Sequence, residues 1–329
     1  MTTHPAIWIG FGVFVLTMLA LDLGVFHRKS HVVGFKEALG WTAAWVVLAL
    51  LFNLGVWAYA GREKALEFFT GYLIEYSLSA DNVFVFALIF SYFGVAARWQ
   101  HKVLFWGIFG ALVMRLVMIF LGTALVLHFK WMLYVFGVFL LVTGMKMLLS
   151  RDERPGLERN WLVRWLQKVL PVTPEYHEDR FLTRATGRWM ATPLLLALAC
   201  IELSDLLFAV DSIPAIFGVT LDPFIIYTSN VFAILGLRSL YFVLARALHL
   251  FHYLKPGLAV VLMFVGAKML VTHTAWKVGT LPALLVVAGV LTAAIVASIL
   301  RPRLRGSTAP PRSLVRTERP SIAANQSRW

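Results

Sequence analysis

The stretch IEYSLSADNVFVFALIF, Ile74 to Phe90, decides how this chain is read. Its second half is as apolar as a lipid-facing helix. Its first half carries Glu75 and Asp81, with Ser77, Ser79 and Asn82 around them. A carboxylate at the centre of a bilayer costs about 2.5–3.5 kcal/mol on insertion scales, so a spanning helix that keeps two has a use for them.

The surroundings place this stretch in a membrane. Of 329 residues, 60% are hydrophobic and 14% are charged, against roughly 25% charged in soluble domains. Mean hydropathy is +0.77. The apolar residues come in long runs, and crossing about 30 Å of hydrocarbon takes about 20 of them. Nine spans are expected, at 6–26, 38–59, 68–93, 102–127, 131–149, 191–213, 222–246, 256–271 and 280–300. The fold class is an all-α polytopic membrane protein. The first run already holds Asp22, and no Lys or Arg precedes Arg28. It reads as a retained helix and not as a cleaved signal. Cys200 is the single cysteine, so no disulfide forms within one chain.

The organisation follows from the runs. A first membrane half covers 1–149, a cytoplasmic loop 150–190, a second membrane half 191–300 and a basic tail 301–329. With the N-terminus outside, the inner segments and their edges hold about 22 of the 30 Lys and Arg. The outer loops hold Arg62, Lys64, Lys130 and Lys277. Positive charge concentrates on the cytoplasmic side of membrane proteins, which fixes this orientation. It also accounts for the net charge of +13 without nucleic acid. The tail, with RPRLRGSTAPPRS, is expected to be disordered at the lipid surface. The loop has room for a short amphipathic helix around Trp161–Leu170 on the inner leaflet, although a plain linker is the simpler reading.

The opening stretch has a second copy, IELSDLLFAVDSIPAIF, Ile201 to Phe217. Asp81-Asn82 matches Asp211-Ser212, and Glu75 matches Asp205 with the same six-residue gap. Downstream, GALVMRL around Arg115 resembles AILGLRSL around Arg238. GMKML, Gly144 to Leu148, matches GAKML, Gly266 to Leu270. The copies cover about 68–149 and about 191–271. An offset of three spans gives them opposite topology, the pattern of transporters whose site lies at the repeat interface.

At 100° per residue, Glu75, Ser79 and Asn82 fall within about 60° of one another on one face. Glu202, Asp205 and Ser212 fall within about 80° on theirs. Asp81 and Asp211 each lie about 120° off that face. Pro214 removes a hydrogen bond to Val210, so a kink or unwinding is expected beside Asp211. The candidate ligands are Glu75, Asp81, Glu202, Asp205 and Asp211. Asn82, Ser212 and Asn230 stand as secondary ligands, though helix–helix hydrogen bonding would also explain Asn230. Arg115 and Arg238 are the deepest bases and the expected charge partners. Lys146 and Lys268 lie near span ends, where their ammonium groups can snorkel. Carboxylate, amide and hydroxyl oxygens suit Mg²⁺, Ca²⁺ or Mn²⁺. The histidines lie at span ends or in loops, which argues against zinc or copper. No Walker pattern appears.

These same motifs, with LDLGVFHRK in the first span, resemble the TerC/Alx family of bacterial integral membrane proteins over about residues 10–300. The resemblance implies an architecture like the LysE-type exporters, with duplicated three-helix units. It implies efflux of Mn²⁺ from the cytoplasm across the bacterial inner membrane, and no permanently bound cofactor. The five acids named above occupy the family's acidic motif positions. Proton antiport is the natural drive, because closely placed carboxylates do not all stay ionised. Two rival readings are another cation (Ca²⁺, Mg²⁺ or organic) and a non-transporting membrane partner in secretion or stress response, acting through the 150–190 loop and the tail.

Overall fold

The computed structural model describes residues 5–24, 34–149, 173, 180–185, 188–247, 253–272, 274 and 277–304. Trp161–Leu170 and the tail beyond Leu304 lie outside the described residues, as do the side chains of Asp22 and Asp81.

Ten helices and one hairpin make up the described chain. They are α1 (Pro5–Gly24), α2 (Phe35–Ala60), α3 (Arg62–Phe93), α4 (Ala97–His128) and α5 (Met132–Leu149), then β1 (Leu182–Ala185) and β2 (Arg188–Ala191). There follow α6 (Pro193–Phe217), α7 (Pro223–Leu235), α8 (Leu237–Ala247), α9 (Leu254–Leu270) and α10 (Thr280–Leu304). Each of the nine expected spans coincides with a helix or, for 222–246, with the pair α7–α8. Among the described residues, six helices are long and apolar enough to cross a membrane, and the bent pair makes seven. Helix α1 is a shorter apolar helix, and α9 has only 17 residues. The protein is thus an all-helical polytopic membrane protein with one small antiparallel hairpin, in which Arg184 pairs with Trp189.

Local sequence sets the helix ends. Helix α3 stops at Gly94, where φ is +64°, a left-handed cap that only glycine takes without strain. Thr192 ties the start of α6 to the hairpin, its hydroxyl donating to the carbonyls of Arg180 at 2.7 Å and Phe181 at 3.1 Å. Helix α7 opens with Pro223 in its first turn, and the Asp222 carboxylate accepts from the Phe224 amide at 3.1 Å.

Helices α3, α4, α6 and α7 form the centre, with α2 and α10 against α3 and α9 against α5. Lipid is as apolar as leucine, so small residues that allow close approach decide helix pairing. Gly137, Gly144 and Gly266 do this between α5 and α9. A Cβ on Gly266 would lie 2.7 Å from the Gly137 carbonyl, and one on Gly144 2.8 Å from the Ala259 carbonyl. The two Gly-x-Lys-Met-Leu motifs therefore sit on one shared interface. Helix α1 packs through rings, with Trp8 against Phe224 and Phe120 and Phe11 against Phe52.

The unwinding expected at Pro214 is absent, since α6 runs without interruption to Phe217. Pro214 lies in the last turn, where the one hydrogen bond it removes is cheap. A break falls at Gly236, where α7 and α8 meet at 41°. A Cβ at Gly236 would meet Trp45 and Tyr76 at 3.5 and 3.6 Å, ordinary van der Waals contact.

Candidate ion site

Arg115 of α4 organises the centre. Its side chain is 1% exposed, and four side chains from three other helices receive its hydrogen bonds. Nε donates to Asp205 Oδ2 at 3.2 Å and Nη2 to Asp205 Oδ1 at 3.1 Å, a two-pronged grip. Nη1 donates to Glu75 Oε1, to Asn230 Oδ1 at 2.6 Å and to Ser212 Oγ at 3.3 Å. Ser79, one turn after Glu75, also donates to Glu75 Oε1 at 3.4 Å. The face grouping read from the sequence accounts for this set, because Glu75 and Ser79 share one helix face and Asp205 and Ser212 another.

The cluster does not balance. Glu75 and Asp205 are 0% and 3% exposed, and they share a single guanidinium. With both ionised, the three groups carry one excess negative charge. Glu75 Oε2 and Asn230 Nδ2 are buried without a partner among the described residues. A buried carboxylate oxygen left bare is costly, and such a site marks a place for water, a proton or an ion.

Glu202 adds a third carboxylate, one turn before Asp205 and close enough to feel its charge. Its carboxylate rests against α4 in the space that a Cβ on Gly110 would take. Glu202 Oε2 is also buried without a partner. Sequence reasoning did not single out Gly110. The signal was there in the GIFGALVMRL run, where a glycine precedes Arg115 by five residues.

Not all expected residues gather here. Asp211 is half-buried, and the cation whose charge reaches it is Lys146 of α5. Asn82 is buried at 5% exposure on α3. Arg238 of α8 is buried and lines a narrow cavity of about 10 Å³ together with Asp205. Lys268 does not snorkel, being only 9% exposed, because α9 ends beneath the connections that cap this end of the bundle. Among the described residues no three Asp, Glu, His or Cys side chains stand close enough together to hold a metal ion in this conformation.

The geometry is that of an acidic, guanidinium-locked centre beside a broken helix. Sequence comparison gives it a family. The description "Integral membrane protein TerC family" matches residues 60–305. The chain belongs to the TerC family. "Uncharacterized membrane protein STKORF319" of Myxococcus xanthus is 55% identical over 299 residues, 91% of this chain and 93% of that protein. "Putative membrane-bound redox modulator Alx" of Salmonella typhi is 49% identical over 301 residues, 89% of this chain and 93% of its own. The protein of the same name from Escherichia coli K12 is 51% identical over 276 residues, 81% and 86% of the two chains. No solved structure matches this TerC family member. The family is one of integral membrane proteins, not a known enzyme family.

Proposed function

We propose that this TerC family protein is a secondary transporter that exports Mn²⁺ from the cytoplasm across the bacterial inner membrane, with protons returning through its carboxylates. The observation that carries the reading is the charge excess at Arg115, where two buried carboxylates share one guanidinium and Glu75 Oε2 stands bare. A divalent cation or a proton supplies what the cluster lacks. The donors are hard oxygens, which suit Mn²⁺ and exclude nothing among Mg²⁺ and Ca²⁺. In the empty state Arg115 holds Glu75 and Asp205 together. When the cation arrives the acids turn from the guanidinium to the ion, with Glu202, Asp211 and Asp81 completing the path. Asn82, Ser212 and Asn230 add neutral oxygens.

Export of a dication works against an inside-negative potential of about 2.3 kcal/mol per charge per 100 mV. Proton entry offsets that cost. A protein that moves a redox-active cation also alters redox balance without a redox group of its own, in keeping with the names of the Alx relatives. The single thiol here, Cys200, is 1% exposed. In this reading the N-terminus lies outside and the loop 150–190 and the tail inside.

The test is ⁵⁴Mn²⁺ uptake into inverted membrane vesicles, with Glu75→Gln and Asp205→Asn beside the wild type. Uptake that responds to an imposed pH gradient and drops at least tenfold in both variants is expected. Competition by Mg²⁺ or Ca²⁺ ranks the ions. Folded wild-type protein that takes up no more than protein-free membranes would sink the proposal.

A further inference from the structure

A second chemistry lies at one end of the bundle, outside the Arg115 cluster. There the start of α3, the facing ends of α4 and α5, the α6–α7 connection, the end of α9 and residues 277–280 line an open cavity of about 730 Å³. Its wall holds both signs of charge, but they are not equally committed. Lys64 Nζ lies 2.8 Å from Glu67 Oε2 and 3.5 Å from Asp222 Oδ2. Thr220 Oγ1 donates to Glu67 Oε2 at 2.6 Å. Asp222 also caps α7 through the Phe224 amide. These groups satisfy one another and stitch α3 to the α6–α7 connection.

Lys268 is different. It lines the same cavity from the last turn of α9, is 9% exposed, and its ammonium makes no hydrogen bond or ion pair among the described residues. The Glu67 carboxylate attracts it from beyond bonding distance, and Lys277 repels it. Lys277 lies at the exposed rim. Three residues later α10 begins, and Gly279 and Thr280 line the cavity wall. The first amides of a helix have no partner within it and carry partial positive charge. A buried ammonium, a second ammonium and a helix N-terminus thus converge on one space large enough for a ligand. Glu63 at the exposed rim is the opposing charge with no bond to satisfy it among the described residues. Being solvated, it limits affinity more than it blocks entry.

We infer that this cavity is a binding site for a small phosphate-type oxyanion, held by Lys268 and Lys277 against the start of α10. The uncommitted side chain inside is the Lys268 ammonium, the acids inside are already engaged, and the rim offers one charge of each sign, so an anion fits inside where a second cation would not. Tetrahedral oxyanions accept from ammonium groups and helix amides alike. The phosphate can be a free ion or the headgroup of a lipid at the membrane surface. The site is separate from the Arg115 cluster and does not depend on which ion is transported.

The experiment uses the full chain purified in phosphate-free detergent. Its unfolding temperature is followed against inorganic phosphate, with ionic strength held constant by chloride. A saturable rise is expected. In Lys268→Gln the half-saturating concentration should increase about tenfold or more, the loss of one charge-assisted hydrogen bond. Lys277→Gln, at the exposed rim, should shift it in the same direction by less, and serves alone if Lys268→Gln does not fold. A rise that never saturates, or half-saturation unmoved in the folded variants, overturns the inference. The same titration in nanodiscs separates the sources. A phosphate effect in zwitterionic lipid that vanishes in phosphatidylglycerol identifies a headgroup, and one that persists in both identifies a free anion. No effect in any of these settings overturns the site.

Discussion

Gly144–Leu148 in α5 and Gly266–Leu270 in α9 are the same motif in two surroundings. Their glycines do the same work, each letting one helix lie against the backbone of the other. Their lysines do not. Lys146 is exposed and acts on Asp211, whereas Lys268 is buried in the cavity beneath the α9–α10 connection. The arginines diverge as well. Arg115 gathers Glu75 and Asp205, while Arg238 sits in α8 just past the break at Gly236. Two like motifs share their packing and divide their chemistry. Packing follows residue size, which the motif repeats. Chemistry follows neighbours, which it does not.

The largest effect that tests this division is expected at Arg115. Arg115→Met leaves two buried carboxylates facing each other without a counter-charge. The loss should be about 3–5 kcal/mol, read from denaturation of purified protein. A stable, fully folded Arg115→Met protein would mean that the acids are not held ionised by this one arginine.

The next effect addresses the shared half of the comparison. Gly144→Ala and Gly266→Ala each push a methyl group to within 2.8 and 2.7 Å of a backbone carbonyl on the facing helix. Each should destabilise by about 1–3 kcal/mol, and by similar amounts. If only one does so, the α5–α9 interface is less symmetric than its glycines indicate.

The smallest effect separates the lysines by sign. Lys146→Met, at an exposed position, should change stability by no more than about 0.5 kcal/mol. Lys268→Met removes a buried ammonium that lacks a direct partner among the described residues, and should leave the protein as stable or more stable by about 1 kcal/mol in phosphate-free buffer. Thermal denaturation of both variants in one buffer decides it. A marked loss in Lys268→Met would show that its attraction to Glu67 is structural.

Much of this protein is legible in its sequence. The runs of apolar residues determine a polytopic helical protein, because a segment in lipid must satisfy its own backbone hydrogen bonds. All nine expected spans meet helices, and helical periodicity alone puts Glu75 with Ser79 and Asp205 with Ser212. Tertiary structure decided the rest. It brought Glu75, Asp205, Ser212 and Asn230, from three helices, onto Arg115. It kept α6 helical through Pro214 and put a break at Gly236, seated Glu202 on Gly110, and buried Lys268 while leaving Lys146 exposed. Periodicity specifies which way a side chain leaves its own helix. What it meets there is set by the packing of other helices, and in a membrane that packing rests on small residues and polar contacts far apart in the chain.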